Sequence, residues 1–496
     1  MFTRLKTLAT VGGLATALLV APGCDSLVQT DPNNPTAETF WDSEESAILG
    51  INAVYHTFHL FGTYQRYTFM VWDQRSDVSF STSPWADLSN ISKFTFNTYD
   101  FEFNAGTWND HYSGVFRANQ VITYVPDIDM DPALRDRIVG EAKFIRALLY
   151  FNLASLYSDI PMPLELMSPE DRPAQVPQAE VWAQVEQDLE EARQVLPRQY
   201  ASADEGRATW GAATALLARA HLQQREWAEA AQYYREVIDS GLYTLEPNYA
   251  DLFDDINENG PESIFEIQYT DDSRLAQGVY GDWRSQQCGP PLLGWGDCQP
   301  TQWFFDEFFE EQTVDGDVDP RVNANFFWNG SDQTVYGRTY SQVYGPNATT
   351  PYWKKYTEYY NAGSRLDSPI NQIVIRYGMV LLHYAEALTE LGRQSEAYPY
   401  VDQVRQRVNL APLSQARPGL SQAQMREQIE HEQLTEMGGE NTRWLYILRH
   451  RLYETELPTL IEHDPEFRFF EPGRQYLPIP QTEVDLNPNV EQNPGW

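Results

Sequence analysis

Basic side chains are scarce in this 496-residue chain: 35 Lys and Arg stand against 71 Asp and Glu, a formal charge of −36, and only five of the bases are lysine. So acidic a protein repels a polyanion, which excludes nucleic acid as a partner. An acidic, lysine-poor surface suits a salty medium, where self-repulsion is screened. Long apolar runs are also missing: beyond residue 23 no stretch approaches the roughly 18 residues that a membrane-spanning helix needs. Catalytic signatures are missing too, because the eight His residues form no HExxH pair, no GxSxG elbow is present and no Gly-rich phosphate loop follows a strand. With 71 acids, carboxylate pairs are too common for spacing to single out a glycosidase pair. No enzyme is expected.

Cysteine is almost absent, and the three that occur are informative. Residues 1–23 carry a positive start (Arg4, Lys6), an apolar stretch from Leu8 to Val20 and the small residues Ala21-Pro22-Gly23 before Cys24. That is the layout of a secretory signal. Small residues ahead of a Cys also fit a lipoprotein signal, in which Cys24 becomes the acylated (palmitate-type) N-terminus; secretion with Cys24 left over is the alternative. The other two, Cys288 and Cys298, bracket CGPPLLGWGDC, and in an exported chain the pair predicts a disulfide. Zinc is disfavoured because no nearby His completes a tetrahedral shell.

What is present is helical periodicity. Between Arg207 and Gly241, Trp210, Ala213, Leu217 and Ala220 fall on one stripe, and Trp227, Ala230, Ala231, Tyr234, Val237 and Ile238 on a second. The segment Ile370 to Asn409 repeats the design, and both resemble tetratricopeptide repeats. Aligning Ala230 with Ala397 separates the units by 397 − 230 = 167 residues, so they read as dispersed hairpins rather than a tandem array. A third hairpin is expected from Leu134 to Tyr157 with Ala179 to Leu196. Residues 60–105 and 242–368 differ in texture: they are rich in Tyr, Trp, Gly and Asn, with short strand-like runs such as ESIFEIQY (Glu262 to Tyr269). The expected fold is therefore mostly α, a scaffold of dispersed tetratricopeptide-type hairpins whose long irregular insertions carry the ligand site. The expected divisions are a signal peptide at 1–23, an N-terminal region at 24–241 and a C-terminal region at 242–496, the latter comprising the 242–368 insertion and a helical repeat with its tail over 370–496.

Several motifs follow one another along the whole chain: TAETFWDSEESAILGINAVY (Thr36 to Tyr55), GEAKFIRALLYFNLASLYSDIPM (Gly140 to Met162), ESIFEIQY, DPR (Asp319 to Arg321), IRYGMVLLHYAEAL (Ile375 to Leu388), VRQR (Val404 to Arg407), ENTRWLYILR (Glu440 to Arg449) and YLPIPQTEVDLNPNVEQNPGW (Tyr476 to Trp496). Taken in order they resemble the RagB/SusD family of surface nutrient-binding lipoproteins, with local departures at Gly438-Gly439 and at Leu445. The resemblance implies a non-catalytic protein, lipid-anchored to the outer membrane and facing the cell exterior. It would capture an oligosaccharide or peptide and act as the lid of a TonB-dependent, SusC-like transporter. The alternative is a helical-repeat adaptor that holds a partner protein and no nutrient.

The motif residues Glu141, Arg146, Arg376, Tyr384, Glu386, Arg405 and Arg443 lie on apolar helices, where packing and buried ion pairing explain them better than a ligand does. Ligand contact is expected instead from aromatic residues in the insertions. Trp and Tyr stack on the apolar faces of sugar rings while Asn, Asp and Arg bind hydroxyls. Two stretches mix both kinds: Trp72 to Asn90, with Trp72, Arg75, Asp77, Trp85 and Asn90, and Tyr280 to Gln299, with Tyr280, Trp283, Arg284 and Trp295. Asp255, Asn257, Asn259 and Glu266 match a calcium-loop pattern, although ESIFEIQY reads as a strand where such a loop requires a helix. No other cofactor is expected.

Overall fold

In the computed structural model, residues 40–168, 170–272, 280–361 and 366–496 are described; the segment 1–23 and Cys24 lie outside them. Among the described residues, ten helices of eight residues or more form the frame: α1 (Glu44–Tyr55), α2 (Glu102–Tyr124), α3 (Pro132–Tyr157), α4 (Gln178–Val195), α5 (Trp210–Gln223), α6 (Trp227–Asp239), α7 (Tyr377–Glu390), α8 (Gln394–Arg407), α9 (Gln422–Met437) and α10 (Arg443–His450). Their starts follow local chemistry. Asp131 accepts from Leu134 N at 2.8 Å ahead of Pro132 in the first helical position, and Thr209 accepts from Ala212 N at 3.1 Å at the head of α5. Gly241, at φ +65, ends the α6 hairpin in a conformation that costs a side-chain-bearing residue more.

From α2 to α8 each helix packs on the next, and α1 lies against α2 and α3. The buried alanines of α5, Ala212, Ala213, Ala215, Ala218 and Ala220, let α4 and α6 approach it closely. The step from α6 to α7 crosses the 242–368 insertion. Units 167 residues apart in sequence are therefore neighbours in space, and the array that reads as dispersed is continuous, with the insertion looped out of it. Helix α3 is buried throughout its second half, which explains why Leu148 to Tyr157 is apolar apart from Asn152 and Ser155.

One boundary differs from the periodicity. Residues Gln372–Arg376 begin the segment read as helical, yet they form a strand, β4, paired antiparallel with β2 (Ser263–Ile267). The β-branched run Ile373-Val374-Ile375 prefers the pleated conformation and finds a partner there. A second pair joins β1 (Ser79–Phe80) to β3 (Gln299–Pro300).

Buried ions stitch the insertions to the array. Arg376 donates to Glu262, Glu436 and Glu440 at 2.6, 2.6 and 2.8 Å, and Arg321 reaches Asp319 and Glu436 at 2.6 and 3.2 Å. Arg146 binds Asp188 through two bonds of 2.8 and 2.7 Å, while Arg137 and Arg207 reach Glu141 at 3.2 and 3.0 Å. Charges this deep are tolerable only when each finds partners, so the motif residues specify the scaffold.

Candidate functional site

The two stretches singled out by composition meet. Ser79 faces Pro300 and Phe80 faces Gln299 across the β1–β3 pair, Thr301 N donates to Val78 O at 3.0 Å, and Trp283 N donates to Gln65 O at 3.2 Å. Loops more than 200 residues apart thereby share one edge of the molecule. The structure pairs Cys288 with Cys298, Cα atoms 4.7 Å apart. Inside that ring Trp295 N donates to Gln286 O at 2.8 Å and Asp297 N to Gln287 O at 3.0 Å, while Tyr344 Oη braces it from outside by donating to Pro291 O at 2.5 Å. Leu292, at φ +70, and Gly296, at φ +67, turn the chain at its tip. The outcome is an outward projection of Leu292 and Trp295, 79% and 47% exposed.

Trp295 stands edge-on to Trp283 with ring centres 6.3 Å apart, and Trp283 meets Phe61 at 4.8 Å. At the centre lies Arg66, whose guanidinium carbon is 5.4, 5.3, 5.3 and 4.9 Å from the rings of Phe61, Tyr67, Trp85 and Trp283. Its Nε donates to Gln287 Oε1 at 3.1 Å and its Nη1 is 3.7 Å from Glu102 Oε1. Trp85 packs its edge on Phe103 at 5.6 Å. Trp85 and Trp283 are half-buried, so each ring is rooted in protein yet keeps an open part. A rigid row of rings with amide and carboxylate groups beside it suits a ligand that has both apolar faces and hydroxyls. Asp87 and Asp297 border the row. Burial raises both carboxyls, with nearby Glu102 adding to the effect at Asp87, and at Asp297 a bond with Ser83 and the charge of Arg66 work against it.

Four expected contact residues are buried and serve elsewhere. Trp72 belongs to the main core at 4% exposure. Arg75 lies 4.7 Å over Trp444 and donates to the carbonyls of Arg474 and Gln475 at 3.1 Å each; burial pushes its guanidinium down to about 9. Burial alone would raise the Asp77 carboxyl, but Arg443 at 2.7 Å and His463 at 2.8 Å outweigh it and hold that group well below the usual carboxylate range. Arg284 sits between Phe69 and Tyr356, at 4.3 and 4.7 Å, and donates to Gly439 O at 2.6 Å. Buried and partnered, these side chains anchor the loops and present nothing to a ligand. Asn90 lies in the last turn of the short helix Ala86–Ile91, half-buried, and its carbonyl accepts from Lys93 N and Thr95 N. Tyr280 contacts His56 and His59, each at 5.7 Å, and lines a different cavity of about 450 Å3 with Tyr55, Arg207 and Gln268.

The calcium-loop residues do not converge. Strand β2 follows the loop where a helix would be needed, and Glu266 is buried, accepting from Asn259 N and Asn371 Nδ2 at 3.1 Å each. Asn259 closes its amide on Gln268, while Asp255 bonds outward to Tyr360. The candidate oxygens of Asp255, Asn259 and Glu266 are thus engaged within the fold, while Asn257 is held through its backbone N, which donates to Asp254 Oδ1 at 3.3 Å. Arg66, Phe61 and Tyr67 lie outside the two stretches singled out by composition, although LFGTYQRYTF interleaves rings and a cation in the same way.

Comparison with known proteins covers nearly the whole chain. Residues 36–222 match a family described as starch-binding and associating with the outer membrane, and residues 261–496 match the SusD family. SusD-like protein P2 of Formosa agariphila is 28% identical over 512 aligned positions, spanning 97% of this chain and 98% of that one. A SusD superfamily protein from Bacteroides vulgatus superposes with a TM-score of 0.81 at 27% identity, covering 92% of this chain and all of its own. A laminarin-binding SusD-like protein superposes with a TM-score of 0.73 at 25% identity over 92% of this chain and all of its own.

Proposed function

The chain belongs to the SusD family, and on that premise we propose that it is a non-catalytic glycan-binding protein that captures oligosaccharide on the Trp85–Trp283–Trp295 surface. The observation that carries this reading is the convergence of two distant loops into one aromatic row around Arg66. In this reading the protein hands its ligand to a SusC-like TonB-dependent transporter and is held at the outer membrane, facing outward, by acyl groups on Cys24. Laminarin is the first probe, since one SusD-like neighbour is described as binding it. Calorimetry of the purified protein against a panel of oligosaccharides, with Trp283→Ala and Trp295→Ala beside the wild type, tests the site. A ligand that binds both variants as it binds the wild type would remove the row from the reading. The anchor has its own check: mass spectrometry of the native protein is expected to show a diacylated or triacylated Cys24, and a soluble product that begins at another residue would refute it.

A further inference from the structure

Carboxylates surround the aromatic row while its one cation is already shared. Among the described residues, Arg66 is the cation that contacts these rings, and four of them cover its guanidinium. Its Nε is given to Gln287 and Glu102 lies alongside. With its side chain 14% exposed and Glu102 3.7 Å from Nη1, Arg66 acts as a staple for the rings and its charge is already offset. Glu102 is 58% exposed at its side chain and also accepts from Tyr67. Asp87 follows Trp85 by two residues, and Asp297 follows Trp295 by two, within the ring closed by Cys288 and Cys298. Glu102 thus stands open beside the row, with Asp87 and Asp297 bordering it and Asp297 bonded to Ser83 and Gln287, on a protein whose formal charge is −36. Like charges brought together at a half-desolvated surface are disfavoured, and the whole-molecule field slows their encounter.

We propose that this surface selects uncharged glycan chains and rejects those that carry uronate or sulfate, with Asp87, Glu102 and Asp297 as the groups that set the preference. The inference rests on the row being the glycan site. A neutral chain stacks its sugar faces on Trp283 and Trp295 while the carboxylates accept from its hydroxyls, an arrangement that carries no charge penalty and depends little on salt. A polyuronate or sulfated chain meets, at the same place, the negative excess of these three carboxylates over the one arginine.

An array of neutral polysaccharides (laminarin, starch, xylan, mannan) and anionic ones (alginate, polygalacturonate, carrageenan) at low ionic strength separates the outcomes. The expected result is binding to at least one neutral chain, lost in Trp283→Ala, and no measurable binding to any anionic chain. Asp87→Asn combined with Glu102→Gln is expected to bring anionic binding into the measurable range, while the neutral ligand, whose hydroxyls lose two carboxylate acceptors, binds more weakly than to the wild type. Anionic binding that disappears in Trp283→Ala would overturn the preference and leave the site standing. Neutral binding that survives both Trp283→Ala and Trp295→Ala would overturn the site itself, and binding of peptides with no glycan bound would overturn both.

Discussion

Trp72 and Trp295 sit in stretches of similar composition, yet one is 4% and the other 47% exposed. Substitution should therefore have opposite signatures. Trp295→Ala removes a projecting ring that packs on little besides Trp283, so it is expected to weaken ligand binding by about 2 kcal/mol, roughly 30-fold, with an unchanged Tm. Trp72→Ala leaves a cavity in the main core and is expected to cost about 3 to 5 kcal/mol of stability. Calorimetry and thermal melts on both variants check the pair, and an early melt of Trp295→Ala would mean that its ring is structural. Which tryptophan does which was not legible in the sequence. The loops have no periodicity, and burial there is decided by distant partners, Trp444 for Arg75 and Arg443 for Asp77. Regular helices are not immune either, since Trp227, on an apolar stripe by spacing, is half-buried and stacks on His450 at 5.9 Å.

Helices were legible because their signals are local. The starts of α3 and α5 follow from the capping residues Asp131 and Thr209, and α4 and α6 from apolar spacing. The strand at Gln372–Arg376 was misread because its pairing partner lies more than 100 residues away, in β2. The same distance hid the β1–β3 pair that assembles the site. The loop closed by Cys288 and Cys298 is the element on which the site depends most. It presents Trp295 through crossing hydrogen bonds, and closing so short a loop contributes on the order of 2 to 3 kcal/mol. Thiol labelling of the denatured, unreduced protein should find neither cysteine reactive. Cys288→Ser with Cys298→Ser is expected to lower Tm modestly and to reduce glycan affinity by more than the stability loss suggests, because the ring that orders Trp295 before binding is gone. Binding that persists at wild-type strength in that double variant would show that the backbone hydrogen bonds suffice.

At the scale of the whole molecule, the ordered motifs announced the family because they encode buried ion pairs that the array and its insertions need together. Those pairs also set how stability responds to pH. Burial would raise the carboxyls of Glu436, Glu440 and Glu386, but Arg407, Arg376 and Arg321 around the first, Arg376 and Lys355 around the second, and Arg449 with His450 around the third hold them below the usual range. A carboxyl depressed in the folded state contributes stability that is present above its unfolded pKa, about 4, and lost as pH falls through the folded value. Other carboxyls are raised: burial lifts Asp464 to about 7, Asp73 and Asp282 to about 6, and Glu258 to about 8. Between the unfolded value and these, the folded protein binds more protons than the unfolded chain, so stability increases as pH falls through that window. Acidification also reduces the self-repulsion of a chain with formal charge −36. Tm is therefore expected to rise from about pH 8 to about pH 6.5, below which burial of His111 and His383, which holds their imidazoles under the ordinary range, opposes the carboxyls, and to fall below about pH 4. Asp464→Asn isolates one contributor. Its Oδ1 accepts from Glu466 N at 3.0 Å, a bond that Asn keeps, and its Oδ2 is buried without a partner. The variant should melt higher than the wild type at pH 8 and lose that advantage toward pH 5. Melts across the range decide it: a Tm that declines steadily from pH 8 downward would show that the paired carboxylates outweigh the raised ones at every pH.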